Sequence, residues 1–114
     1  MKIDSFVETD ILFQIYGSLL TSRQREIMTL YYDEDFSLSE IGENLKISKQ
    51  AVHDAIKRAD KVLYEYEEKL SIYFDRKKRE ADAERMFELI SALPETEHKN
   101  EIEKIKDILK EWIE

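Results

Sequence analysis

The sequence predicts an all-α protein, and three properties of the chain lead to that prediction. Only two glycines and one proline occur among 114 residues, a composition typical of helices. Apolar residues recur at spacings of three and four, which is the period of a helix buried on one face. Capping patterns, in which Ser or Thr is followed three residues later by Glu or Gln, occur at Ser5, Thr21 and Ser37.

The overall composition fits one helical domain. Charged residues make up 39% of the chain and apolar residues 42%, which suits helices with one charged and one buried face. The length is enough for one core, so we expect a single domain over residues 1–114. The chain has no cysteine, no recognisable signal peptide and no apolar run near the ~18 residues of a membrane span. We therefore expect a soluble cytoplasmic protein that does not insert into membranes.

The first two helices are predicted from their apolar residues and caps. A helix over residues 5–20 has an unusually wide apolar face. Such a face is buried on several sides, either inside the core or partly against a partner, and we favour the core. Gly17 weakens the last turn of this helix. Thr21 and Gln24 then cap a second helix that runs to about Tyr32.

Residues 37–59 have the pattern of a helix-turn-helix, which is two short helices joined by a tight turn. Ser37 caps the first helix, which begins at Leu38, and Ser48 caps the second. Gly42 lies inside the first helix, where it costs about 1 kcal/mol relative to alanine, and we attribute it to a close approach of the second helix's backbone. The apolar positions that pair the helices are Ile41, Leu45, Ile47, Val52, Ala55 and Ile56. An ordinary helical hairpin is the alternative, but the combination of caps, small residue and matched stripes favours the helix-turn-helix.

The chain after the motif, residues 62–114, is predicted as a helical C-terminal extension. No glycine or proline follows Ser48 before Pro94, so the second motif helix continues beyond the length of a normal recognition helix. Its apolar positions form a heptad seam. They are Val52, Ile56, Ala59, Leu63, Tyr66, Leu70 and Tyr73. The seam serves helix pairing between chains or covers the chain's own N-terminal helix, and the sequence leaves both interpretations open.

The seam ends near residues 71–76, where we expect a break or bend. A new apolar stripe then begins, Pro94 ends the helix that carries it, and an amphipathic helix completes the chain. The two stripes consist of Ala83, Met86, Phe87, Ile90 and Leu93, followed by Ile102, Ile105, Leu109, Trp112 and Ile113.

We expect no enzymatic activity, no cofactor and no metal site. The chain has no glycine-rich phosphate loop, no cysteine and no Ser/His/Asp set, and its two histidines, His53 and His98, lie far apart in the sequence. His53 is expected on the outer face of the second motif helix. There an exposed or ligand-facing polar residue is a simpler interpretation than a metal ligand or a proton switch.

The outer face of the second motif helix carries the candidate nucleic-acid contacts. In a helix-turn-helix, the N-terminal residues of the second helix enter the major groove. Four lysines and arginines among residues 48–61 outnumber two aspartates, so this stretch has a net charge of +2 in a chain of −8. That charge is only weak evidence for nucleic-acid binding, because affinity for nucleic acid comes largely from neutralised phosphates. The candidate contact residues are Lys49, Gln50, His53, Lys57 and Arg58.

A second cationic cluster follows the seam. It is a candidate for a contact with RNA or phosphate, and the alternative is a solvated helix face, because acidic residues flank it. We favour the solvated face. The cluster consists of Arg76, Lys77, Lys78 and Arg79.

Three stretches resemble region 4 of bacterial sigma factors, over about residues 19–63. They are LLTSRQREIMTLYY, SLSEIGENLKIS and KQAVHDAIKRA. Continued to Leu70, the sequence more closely resembles the small YlxM family of helix-turn-helix proteins. It departs from a DNA-reading sigma domain by having Gly42 in place of the usual alanine, His53 and Asp54 on the recognition face, and an acidic total charge. These departures argue against DNA reading and leave the expected fold unchanged.

The resemblance to the YlxM family implies a role in co-translational protein targeting. Genes of that family lie beside those for the signal recognition particle GTPase and its receptor. We therefore expect an accessory or regulatory protein of the signal recognition particle pathway that contacts the particle's RNA or protein. The alternative is a sequence-specific DNA-binding transcriptional regulator of the sigma region 4 type.

We also expect a homodimer. The wide first helix and the later stripes present more apolar surface than one small core can cover, and large apolar patches rarely stay exposed. Two-fold pairing is the commonest arrangement of soluble oligomers. The pairing surface is either the long helix after Ser48 or the terminal amphipathic helix.

Overall fold

The computed structural model describes residues 5–94 and 97–113, and these residues form six α-helices and no strand. The all-α prediction is therefore confirmed. The helices are α1 (Ser5–Tyr16), α2 (Ser22–Met28), α3 (Leu38–Leu45), α4 (Lys49–Leu70), α5 (Ile72–Ser91) and α6 (Lys99–Lys110). Backbone contacts divide the chain into two compact units, Met1–Ser71 and Ile72–Glu114. The single domain over residues 1–114 stays a prediction.

Helix α1 is shorter than the sequence predicts. It ends at Tyr16 and is followed by a 3-10 turn, Gly17–Leu19. A β-carbon built on Gly17 would lie 2.9 Å from the Phe13 ring, so the ring occupies the space that a side chain would need. The sequence predicts Ser5 as the residue that caps this helix, but Ser5 is already the first helical residue.

Helix α2 confirms its predicted cap. Thr21 Oγ1 accepts a hydrogen bond from the Gln24 amide, and Gln24 Oε1 accepts one from the Thr21 amide. The helix buries Ile27 and Met28 and ends at Met28. A π-helical segment, Thr29–Asp33, then carries the chain to the loop before α3. Tyr31 and Tyr32 belong to this segment.

Helices α3 and α4 form the predicted helix-turn-helix. Both begin where their caps predict, with Ser37 in a full capping box and Ser48 Oγ accepting from the Ala51 amide at 3.0 Å. Lys46 ends α3 in the left-handed conformation, with φ 59°. A β-carbon on Gly42 would lie 2.7 Å from the Ile47 carbonyl oxygen. The close approach that explains this glycine is therefore made chiefly by the turn, not by the second helix.

The seam on α4 covers the chain's own helices. Its first four members, Val52, Ile56, Ala59 and Leu63, are buried, and α1, α2 and α3 all pack against α4. The Tyr66 ring stacks on Tyr16 with centroids 6.0 Å apart. Burial along the seam ends before α4 does, because Leu70 is 49% exposed. Helix α4 itself ends at Ser71, which is left-handed with φ 52°, so Tyr73 lies in α5. This break lies inside the predicted range.

The second unit is a pair of helices, α5 and α6. Ala83, Ile102 and Leu109 are buried within it. The predicted stripes are only partly buried, because Met86 and Trp112 are each about half exposed. Helix α5 ends at Ser91, shortly before Pro94, and Trp112 and Ile113 follow the end of α6.

Gly42→Ala should destabilise the first unit, although alanine has the higher helix propensity. Propensity alone would stabilise the protein by about 1 kcal/mol, whereas the clash with the Ile47 carbonyl should cost about 1–3 kcal/mol. Urea unfolding monitored by circular dichroism measures the difference. The control is Asn44→Ala, an exposed position on the same helix, which should stay within about 0.5 kcal/mol of the parent. A Gly42→Ala variant more stable than the parent would contradict the close approach.

Candidate nucleic-acid interface

The predicted contact residues lie on the exposed side of α4, at its N-terminal end. Lys49, Gln50, His53 and Lys57 are all exposed, and their spacing of three and four places them on one side of the helix. Arg58 is also exposed and lies next to Lys57. We call these five residues the α4 face. The buried stripe on the opposite side fixes the direction in which the face points.

Asp54 lies within the α4 face and changes its chemistry. Gln50 Nε2 donates a hydrogen bond to Asp54 Oδ1 at 3.0 Å. His53 Nδ1 lies 3.6 Å from the same oxygen, and both side chains are about half exposed. The carboxylate thus engages the amide that could read an adenine, and its negative charge opposes a nearby phosphate.

A groove opens beside the α4 face, between the start of α1, the π-helical segment and α4. Its volume is about 400 Å³, within the roughly 300–1,000 Å³ range of small-molecule sites. Four aromatic residues line it, together with two members of the α4 face. We call it the α1–α4 groove. Its main lining residues are Phe6, Tyr31, Tyr32, His53, Lys57, Asp60 and Tyr64.

The aromatic rings of the groove form a connected cluster. The Phe6 and Tyr32 ring centroids are 4.7 Å apart, and Tyr31 meets Tyr32 edge to face at 4.9 Å. The Tyr64 hydroxyl donates to Glu8 Oε1 at 2.8 Å. This bond ties α4 to the first turns of α1, so the groove has a fixed wall on that side.

Asp60 is the partly buried carboxylate of the groove. Burial raises its pKa to about 6, although the positive charge of Lys57 and a hydrogen bond from Tyr32 oppose the rise. That bond is long, with Tyr32 Oη 3.5 Å from Asp60 Oδ1. Burial and the charge of Asp60 also raise the pKa of Tyr32. Near neutral pH, the groove therefore combines a desolvated acid with a neutral phenol.

Comparison with known proteins places this architecture in a family. The family model described as "Putative helix-turn-helix protein, YlxM / p13 like" matches residues 3–108. The chain belongs to the UPF0122 family. The resemblance to YlxM proteins is thereby confirmed.

Three UPF0122 relatives illustrate the extent of the similarity. A protein of Bacillus velezensis is 43% identical over 97 residues, which cover 85% of this chain and 88% of the relative. One of Desulforamulus reducens is 39% identical over 109 residues, covering 96% and 93%. One of Clostridium botulinum is 56% identical over 66 residues, covering 58% and 61%.

The second basic cluster of this UPF0122 protein lies on α5, with acidic side chains nearby. All four of its side chains are exposed. Arg76 and Arg79 line a depression in the second unit together with Glu80 and Glu111, and Lys77 Nζ lies 5.4 Å from the centre of the Tyr73 ring. This arrangement is that of a solvated helix face with mixed charge.

Two other features of the UPF0122 chain bear on its chemistry. Across residues 5–94 and 97–113, no three His, Cys, Asp or Glu side chains come together as a metal site would require. No helix in this described part is both long and apolar enough to cross a membrane.

Asp60→Asn should stabilise the UPF0122 protein above pH 6 and not at pH 4. The folded-state pKa of about 6 exceeds the ordinary value of 3.8, so the folded state binds the proton more tightly. The contribution of Asp60 to stability is therefore complete below pH 4 and is lost as the pH rises through 6. Asparagine removes the charge and should add about 1 kcal/mol at pH 7, allowing for solvent screening.

Thermal unfolding of Asp60→Asn between pH 4 and pH 8 measures this difference. The control is Asp54→Asn, which removes an exposed carboxylate from the same helix and gives the effect of losing one negative charge. Parallel profiles for Asp60→Asn and the parent would show that Asp60 is not desolvated.

Proposed function

We propose that the protein is an accessory or regulatory protein of the signal recognition particle pathway and that it binds the particle's RNA. Membership of the UPF0122 family supports this proposal, because the resemblance to YlxM proteins implies that pathway. The single observation that carries the RNA contact is the exposed, cationic α4 face in an otherwise acidic chain.

The charge distribution favours a local contact over a general affinity for nucleic acid. The chain has a net charge of −8, which repels phosphates at distances beyond direct contact. Lys49, Lys57 and Arg58 are all exposed on α4 and can neutralise a few phosphates there. Such a surface suits a short, structured target whose shape fits the face.

Sequence-specific DNA binding is the second candidate function. The observation that favours it is the intact helix-turn-helix, in which the outer face of α4 is exposed as major-groove entry requires. One feature weighs against reading bases in the major groove: Gln50, the side chain that could read an adenine, is already bonded to Asp54.

Replacing Lys49 and Lys57 together by Glu should weaken binding to signal recognition particle RNA and reduce its dependence on salt. Loss of two phosphate contacts lowers the slope of log affinity against log salt by about two. Fluorescence anisotropy over a salt series measures both quantities, with duplex promoter DNA as the second ligand.

The matched control is Lys99→Glu with Lys104→Glu, two exposed lysines of α6 that give the variant the same net charge. It should bind RNA with a salt slope near that of the parent. Equal losses in the two variants would show a general charge effect and contradict a contact on the α4 face. Tighter binding to promoter DNA than to the RNA would support the second candidate instead, and binding only to the particle's protein would overturn the RNA contact.

We also propose that the chain forms a homodimer through its second unit. The buried α4 seam is used within the chain, so the apolar side chains of α5 and α6 are the better candidates. Among the described residues from 72 to 113, eight large apolar side chains are each at least 41% exposed, and large apolar patches rarely stay exposed on a monomer. They are Ile72, Phe74, Met86, Leu89, Leu93, Ile105, Ile108 and Trp112.

Sedimentation equilibrium at micromolar concentration should give twice the monomer mass of 13.7 kDa. Leu89→Asp with Ile108→Asp should shift the protein to monomer, because charge would replace exposed apolar surface. The control is Leu19→Asp, an exposed leucine of the first unit, which should stay dimeric. A monomeric parent protein would refute the dimer.

A further inference from the structure

The α1–α4 groove has a combination of side chains that the helix-turn-helix contact does not use. Aromatic rings form its walls, a carboxylate lies within it, and two residues of the α4 face stand in its lining. We infer that this groove holds one unpaired nucleotide of a bound RNA strand. The inference rests on the proposed RNA contact of the α4 face and deepens it by naming the part of the RNA that is recognised.

The aromatic wall provides a surface for base stacking. Phe6 is 41% exposed and meets Tyr31 at 5.6 Å with an interplanar angle of 65°. A planar base can therefore stack on one ring of this pair while its edge meets the other. Protein recognition of RNA commonly stacks unpaired bases on such aromatic side chains.

Asp60 provides an acceptor for the edge of the base. Its carboxylate has about four lone-pair positions, and the long bond from Tyr32 uses one of them. The remaining positions can accept from the amino group of a cytosine, adenine or guanine. An acceptor in a partly desolvated site discriminates between bases more strongly than one in water, because an unmatched polar group there is costly. The groove should therefore prefer a base with an amino group over uracil.

Two residues of the α4 face also line the groove. His53 and Lys57 line the groove and are exposed one turn apart on α4. They can contact the phosphate of a nucleotide whose base lies inside, while Lys49 and Arg58 contact the neighbouring backbone. This continuity favours an RNA with an unpaired loop or bulge over a continuous duplex, in which every base is stacked and paired.

A free nucleotide offers the same chemistry as a nucleotide within a strand. Three probes separate the two sources: a mixed-sequence single-stranded RNA, the same sequence in a blunt duplex, and the four nucleoside monophosphates as competitors. Anisotropy of the labelled strands measures affinity. We expect the single strand to bind more tightly than the duplex, and the monophosphates to compete only weakly, because a free nucleotide lacks the backbone contacts of Lys49 and Arg58.

The variants test the groove itself. Phe6→Leu keeps an apolar side chain but removes the stacking surface, and should weaken single-strand binding about tenfold. Asp60→Asn should change the order of affinity among strands that differ at one unpaired base. The matched control is Phe36→Leu, the same replacement in another part of the first unit, and should bind as the parent does. Circular dichroism checks that each variant is folded.

The possible outcomes test the groove inference separately from the proposed function. Equal binding by Phe6→Leu, Asp60→Asn and the parent would overturn the groove inference, even if signal recognition particle RNA is bound. Groove-dependent binding of single strands without any preference for that RNA would support the groove and contradict the proposed pathway. Binding of the blunt duplex as tightly as the single strand, or of neither, would overturn the groove, as would monophosphates that compete as well as a strand.

Discussion

The burial of one side of α4 is the interaction on which the rest of the first unit depends. Val52, Ile56, Ala59 and Leu63 are buried beneath α1, α2 and α3, so a single helix supplies a packing surface for three others. A helix with one side fully used has only the opposite side left for a partner. The packing that forms the core therefore also fixes the position and direction of the α4 face.

Much of the fold could be predicted from the sequence, because its strongest features are local. Ser37 and Ser48 place the starts of α3 and α4 correctly, since a capping side chain bonds to backbone only a few residues away. The end of α1 could not be placed from the sequence, because Gly17 weakens a helix without fixing the residue at which it ends. The seam had two interpretations for a similar reason: its period shows that it is buried, but not by which chain.

The candidate site was predictable only in part. The helical period predicts that Lys49, His53 and Lys57 are exposed together. It does not predict that Asp54 accepts a hydrogen bond from Gln50. The α1–α4 groove was missed because its residues come from three separated segments that only the tertiary fold unites. Asp60 enters the sequence analysis only as one of the two aspartates in the net charge of residues 48–61, and aspartate is mostly exposed, although its neighbour Ala59 belongs to the buried seam. Consecutive tyrosines after α2 were the one local feature that could have drawn attention to the groove.

The proposed RNA contact lies on the side of α4 that the core leaves exposed. Backbone amide chemical shifts, followed by nuclear magnetic resonance during titration with signal recognition particle RNA, test it most directly. The chemical shift changes should be concentrated at residues 49–61 and along the lining of the α1–α4 groove, with little change in α5. Shifts centred on residues 76–79, with the N-terminal half of α4 unchanged, would contradict it.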